Sequence, residues 1–251
     1  MLIIPIRHAT CLIHYGGKKI LLDPVFSPAG TMAAIPDVPN TANNPLVELP
    51  IAIEAIIKDI DAIIITHTHR DHFDSAAMQV LPKTIPLFCQ PTDLIKITEA
   101  GFRDIRPVKD NIHWNSMTIY RTDGRHGKGI VGMKMGTVSG FVFSAPNEPK
   151  LYITGDTIWC NPVKQTLRMH QPQIILAYTG SAKFKHGKPI TMGEPDILNM
   201  VKVIPKARII AIHLEAWNHC RLSRDTLRQS MRQNSLCQNV YVPENGEQIC
   251  I

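Results

Sequence analysis

The sequence predicts a mixed fold of strands and helices, α/β or α+β, on three observations. Continuous apolar, β-branched runs recur along the chain. Ile63-Ile64-Ile65, Ile174-Ile175-Leu176-Ala177 and Ile209-Ile210-Ala211-Ile212 each read as a strand buried on both faces. Helix-start signals lie among them: Asp74 precedes Ser75–Leu81, and Ser223 precedes Arg224-Asp225-Thr226. Strands and helices alternate through two halves, roughly 1–135 and 136–251. At 251 residues the chain can bury a large core, and one domain over 1–251 is expected.

Residues 1–23 read as strands, with Cys11–Tyr15 and Lys19–Asp23 flanking Gly16-Gly17 as a two-residue hairpin turn. Residues 24–50 carry Pro24, Pro28, Pro36, Pro39, Pro45 and Pro50 and read as a long irregular loop, either a lid or a static wrap. Ile51, Ile53, Ile56, Ile57 and Ile60 suggest an amphipathic helix leading to the Ile63 strand. Pro86–Cys89 is a short strand, and a helix from about Asp93 to Ala100 stops at Gly101. Ile112–Thr122 and Val131–Ser144 alternate apolar and polar residues, which predicts antiparallel strands around the glycine-rich loop Asp123–Gly129. Leu151–Thr154 is a strand broken by Gly155-Asp156-Thr157, and Thr179–Gly193 is a basic loop. Glu194–Val203 is a helix, Arg208–Ile212 a strand ending at His213, and the helix opened by Ser223 runs to about Gln233. Val240–Val242 and Gln248–Cys250 close the chain as strands.

Composition narrows the function classes. Hydrophobic residues at 44% and charged residues at 19% are ordinary for a globular protein. The formal charge of +6 favours anionic partners, but the basic residues are scattered, so no nucleic-acid partner is expected. The six cysteines form no Cys-x-x-Cys pair and read as reduced thiols of a cytoplasmic protein. The N-terminus does not read as a signal peptide, and no apolar run is long enough to insert stably in a membrane. A homo-oligomer is compatible with these features.

Chemistry concentrates in His67-Thr68-His69-Arg70-Asp71-His72. Three histidines and an aspartate lie in the turn between a buried strand and a helix, and imidazole with carboxylate suits a divalent transition metal. His67 and His69, two apart in an extended segment, can point the same way. Other candidate donors also end buried strands: Asp156 after Ile153-Thr154-Gly155, and His213 after Ile210-Ala211-Ile212. Alone, Asp156 would read as a turn aspartate and His213 as a strand-end histidine satisfied by backbone. Their order after the first motif favours metal ligation.

The His-x-His-x-Asp-His motif, the Thr-Gly-Asp motif and the strand-end histidine together resemble the metallo-β-lactamase superfamily. His8-Ala9-Thr10 and Leu22-Asp23-Pro24 resemble the opening of its ascorbate-6-phosphate lactonase-like and N-acylphosphatidylethanolamine phospholipase D-like branch. The resemblance implies an α+β fold, the αββα four-layer sandwich with two mixed sheets and helices outside. It implies a site one of His67, His69 and His126, a site two of Asp71, His72 and His213, and a bridging Asp156. His113, beside Trp114, is the alternative to His126, which sits in the glycine-rich loop. It also implies two divalent ions, zinc or manganese with iron as a further option. Activated water would then attack an ester, lactone or phosphodiester of a small, anionic substrate, with Asp71 and Asp156 as the catalytic carboxylates. Lys183, Lys185 and His186 in the basic loop are candidate substrate contacts, against a solvated loop. His219 is a candidate for orienting a ligand, or a structural residue. His8 reads as a hydrogen-bonded histidine near a strand start. The rival from another class is a non-catalytic metal- or metabolite-binding protein on the same scaffold, disfavoured by the complete ligand set.

Overall fold

The computed structural model describes residues 1–251. Two seven-stranded sheets form the architecture. The first contains β1 (Leu2–Arg7), β2 (Thr10–Tyr15), β3 (Lys18–Leu22), β4 (Ala62–Ile65), β5 (Leu87–Cys89) and β6 (Ile105–Pro107). The second contains β7 (Asn111–Trp114), β8 (Met117–Asp123), β9 (Ser139–Ser144), β10 (Leu151–Ile153), β11 (Ile174–Tyr178), β12 (Arg208–Ile212) and β13 (Val240–Tyr241). The last strand, β14 (Ile249–Cys250), returns to the first sheet beside β1.

Both sheets are mixed in the same way. β1 to β3 pair antiparallel and β3 to β6 parallel; β7 to β10 pair antiparallel and β10 to β13 parallel. The chain changes sheet between Pro107 and Asn111, earlier than the expected boundary near 135, because the β7–β8 hairpin pairs with β9 (Ile119 opposite Phe143).

The layers follow from side-chain alternation along strands. In β4, Ile64 points into the layer between the sheets with Phe88, Phe141, Ile153 and Leu176. Its neighbours Ile63 and Ile65 point outward against helices α1 (Ile53–Ile57), α2 (Ser75–Val80) and α3 (Leu94–Glu99). On the other sheet, Ile175 and Ile209 pack outward on α5 (Asn161–His170), α6 (Glu194–Val203) and α7 (Arg224–Gln233). Four layers, helix–sheet–sheet–helix, result.

Two elements depart from expectation. Residues 129–135, overlapping the start of the predicted Val131–Ser144 strand, form a short helix, α4 (Gly129–Met135), and the strand begins only at Ser139. No residue of α4 is buried, so no sheet neighbour imposes an extended form there. Helix α5 had no counterpart in the sequence reading; Pro162 opens it at a favoured position and Gln171, left-handed at φ 48°, ends it.

The 24–50 loop is a pinned wrap. The buried Arg7 guanidinium donates to the carbonyls of Val25, Ser27 and Val47. Asp74 caps α2 through Ala77 N and also accepts from Phe26 N and Ser27 N. Asn218 accepts from Ile35 N and Asn44 Nδ2 and donates to the carbonyls of Ile35 and Asn40. No helix is long and apolar enough to cross a membrane. The six cysteines are unpaired.

Candidate metal centre

The donor residues converge at one edge of the sandwich, where strands end. His67, His69, Asp71 and His72 follow β4, His126 follows β8, Asp156 follows β10 and His213 follows β12. Gly155 is required there: its φ is 61°, and a Cβ would lie 2.2 Å from the Ser139 carbonyl. His213, at φ 66°, turns the chain off β12 and donates its N–H to the His8 carbonyl.

The donors form interlocking groups, each with all its donor atoms within 4.8 Å of one another: His67, His69 and His126; His67, His72 and Asp156; and His8, Asp71, His72 and His213. Among the imidazoles, His67 Nε2 lies 3.0 Å from His69 Nδ1 and His213 Nε2 lies 3.3 Å from His72 Nε2. Asp156 Oδ2 lies 3.3 Å from His72 Nε2 and 3.5 Å from His126 Nε2, and Asp156 Oδ1 lies 3.2 Å from His213 Nε2. Ligand atoms about 2.1 Å from a tetrahedral ion stand about 3.4 Å apart, which is this spacing.

The chemistry of the set also fits cations. Both Asp156 oxygens are buried with no hydrogen-bond donor, a costly state for a carboxylate unless a positive charge faces it. Burial pushes the Asp156 carboxyl up, but electrostatic attraction to the neighbouring His213 and His72 rings outweighs it and holds the group well below its ordinary range. Burial likewise raises Asp71, and His72 and His8 hold it well below that range. Burial lowers His72, but Asp156, Asp71 and Asp23 push it well above the ordinary histidine value. These carboxylates favour positive charge at His72, the kind of charge a bound metal ion would supply.

Supporting contacts fix the rings. His72 Nδ1 donates to Asp23 Oδ2 at 2.8 Å, which leaves Nε2 free to ligate. His126 Nδ1 donates to the Ile190 carbonyl at 3.0 Å, with the same effect. Asp23 also accepts from Thr66 N, Thr66 Oγ1 and Tyr178 OH. Asp23, Thr66 and Tyr178 had no site role in the sequence reading. The Leu22-Asp23-Pro24 strand end was the available signal, but nothing local says that Asp23 faces His72.

Among the other expected residues, His113 is exposed on β7 and pairs with Thr118 Oγ1, outside the cluster. His219 Nε2 lies 3.7 Å from Asp71 Oδ2, at the cluster's rim. His8 is more than a strand-start histidine: it is fully buried, its Nε2 lies 3.4 Å from Asp71 Oδ2, and its ring is 3.6 Å from that of His213. A cavity of about 330 Å³ opens over His69, Asp71, His126 and His219, walled by Ile35, Pro36, Met135, Phe184 and Ile190. Arg70, also at its wall, donates to the Ala33 carbonyl and lies over Trp217. Lys185 and His186 line an adjoining cavity, and Lys183 lines neither.

This packing predicts acid sensitivity of the metal-free protein. Burial holds His8 down at about 4, and burial also lowers His67, His126, His213 and His219. A histidine kept neutral in the fold but protonated when unfolded withdraws stability as pH falls below about 6.5. His8 alone then removes about 2 kcal/mol by pH 5. The ionised Asp71 and Asp156 act in the same direction lower still, whereas His72, raised, opposes them. Chelator-treated protein is therefore expected to melt several degrees lower at pH 5 than at pH 7.5, and an equal or higher melting point would contradict the burial of these rings as neutral groups.

Known proteins share this architecture. A family described as Beta-lactamase superfamily domain matches residues 18–214. The UPF0173 protein YddR of Bacillus subtilis (strain 168) is 38% identical over 250 residues, covering 98% of each chain. The crystal structure of an isothiocyanate hydrolase from Delia radicum gut bacteria superposes with a TM-score of 0.96 at 36% identity, covering 100% of this chain and 99% of that one. A possible metal-dependent hydrolase from Veillonella parvula DSM 2008 gives 0.97 at 33% identity, with the same coverage. The chain belongs to the beta-lactamase superfamily and, within it, to the UPF0173 family of metal-dependent hydrolases.

Proposed function

We propose that the protein is a dinuclear metal-dependent hydrolase. His67, His69 and His126 would hold one divalent ion, Asp71, His72 and His213 the other, and Asp156 would stand between them. A histidine-and-carboxylate set of this kind takes zinc or manganese, with iron as a further option. Such ions, when bound, polarise the electrophile and make water acidic enough to react near neutral pH. The chain's residues do the rest. Asp156 offsets the mutual repulsion of two cations. Asp23 and the Ile190 carbonyl fix the His72 and His126 rings. Asp71, at the cavity wall and close to His8 and His219, is placed to take a proton from the attacking water.

The observation that carries this reading is the donor cluster opening into a cavity with apolar walls. Ile35, Pro36, Met135, Phe184 and Ile190 suit a small molecule with an apolar body and an electrophilic carbon. An isothiocyanate, the substrate class named for the relative from Delia radicum gut bacteria, has that character. Water would add to its central carbon and the C–N bond would break, giving an amine and carbonyl sulfide.

A second substrate class, an anionic ester, lactone or phosphodiester as in the lactonase-like branch, is favoured by Lys185 and His186 beside the adjoining cavity. Elemental analysis with parallel turnover assays separates the cases. Amine release from benzyl isothiocyanate by protein holding about two metal equivalents supports the first class. Turnover of bis-p-nitrophenyl phosphate or a lactone alone supports the second. Metal binding without any turnover would favour a binding protein on the same scaffold.

A further inference from the structure

We infer that the substrate is bipartite, with an electrophilic head over the metal centre, an apolar linker and an anionic end group, and that Met135 and Phe184 form the gate its linker crosses. This inference rests on the metal-centre reading above and adds the substrate's shape and charge. The cavity over the cluster, at about 330 Å³, is near the lower end of ligand pockets and suits a head group. A second cavity of about 570 Å³ adjoins it, and the two share Met135 and Phe184. The first cavity has no lysine, and its one guanidinium, Arg70, is turned to the Ala33 carbonyl and the Trp217 ring. Lys134, Lys185 and His186 line the second, against one carboxylate, Asp37. Charge is therefore sorted along the path: donors for metal at one end, an apolar neck, a basic chamber beyond.

The gate is built to yield. Met135 ends α4, which buries no residue and is bracketed by Gly129 (φ 59°) and Gly136 (φ 76°). Its thioether side chain adapts to varied shapes. Phe184 lies in the loop between β11 and α6, and next to it the Lys185 N–H donates to the Asp37 carbonyl, which ties that loop to the 24–50 wrap. One side of the neck is thus anchored and the other is carried on a lightly packed helix. The expected contacts at Lys185 and His186 fall on the tail of the substrate, away from the reacting atoms.

Hydroxamates test this without turnover, because the head chelates metal and the tail can be varied. Three probes suffice: acetohydroxamate, the monohydroxamate of suberic acid, and the methyl ester of that monohydroxamate, each titrated calorimetrically into zinc-loaded protein. The ratio of affinities, free acid over methyl ester, is expected to fall about five-fold in the Lys134→Ala/Lys185→Ala double variant, the size of screened surface pairing. It should also shrink with added salt in the wild type. Met135→Trp is expected to weaken both long probes by about ten-fold relative to acetohydroxamate, because the larger ring obstructs the neck the linker crosses. A ratio unmoved by the double variant would overturn the basic chamber, and long probes indifferent to Met135→Trp would overturn the gate. If acetohydroxamate itself fails to bind, the metal-centre reading falls and takes this inference with it.

Discussion

Replacing Asp156 with asparagine is expected to lower metal affinity by about 10²–10³-fold and to abolish turnover in parallel. The change is nearly isosteric, so the space at the end of β10 is kept. The charge is not. Asp156 presents both oxygens, unpartnered and buried, to His72, His126 and His213. Removing one partner from a buried charge pair costs about 3–5 kcal/mol, which overlaps the roughly 2.7–4.1 kcal/mol that this loss of affinity represents. Without metal the penalty is smaller, because His72 can give up its proton once the carboxylate is gone. The variant should therefore fold and melt cooperatively while holding fewer than two equivalents of metal. Elemental analysis and circular dichroism on one preparation check this. A variant that keeps two equivalents and full activity would remove Asp156 from the bridge.

Asp23→Ala is expected to be the most destabilising change at the site that touches no metal donor position. The carboxylate accepts from Thr66 N and Thr66 Oγ1 at 2.7 Å each and from His72 Nδ1 and Tyr178 OH at 2.8 Å each. Alanine leaves Thr66 N and Tyr178 OH buried and unpaired, and leaves His72 Nδ1 only a 3.5 Å contact to Thr66 Oγ1, with a loss of about 3–5 kcal/mol and a drop in melting temperature of roughly 6–15 °C. Asp23→Asn separates stability from metal binding. If its amide nitrogen faces His72, Nδ1 must become the acceptor, and the proton moves to Nε2, the atom aimed at the metal. Metal affinity should then fall about 10–100-fold, with the fold largely intact. Equal metal affinity in Asp23→Asn and wild type would show that the His72 ring is oriented by packing alone.

The sequence made the local devices legible because they rest on neighbouring residues. Asp74 caps α2 as its position implied, and α6 and β12 begin and end at the expected residues. Gly16-Gly17 turns the β2–β3 hairpin. The histidine cluster was legible for the same reason: four donors crowd one turn. What escaped depends on distant partners. Asp23 meets His72 and Tyr178 across 49 and 155 residues, and His8 meets Asp71 across 63. No local pattern marks such pairings. Val131 and Met133 suit an extended segment, but with no partner strand there the chain coils into α4 instead.

The donors come from both sheets, and this has a consequence for how the protein matures. His67, His69, Asp71 and His72 follow a strand of the first sheet, whereas His126, Asp156 and His213 follow strands of the second. Neither half can assemble the centre by itself. On the proposed metal-centre reading, metal uptake is thus a logical AND on the docking of two halves, and a nascent or damaged chain whose sheets have not met would have no complete nest for an ion. The cofactor would act as an inspector of assembly as well as a reagent, arming the chemistry only in molecules that are already whole.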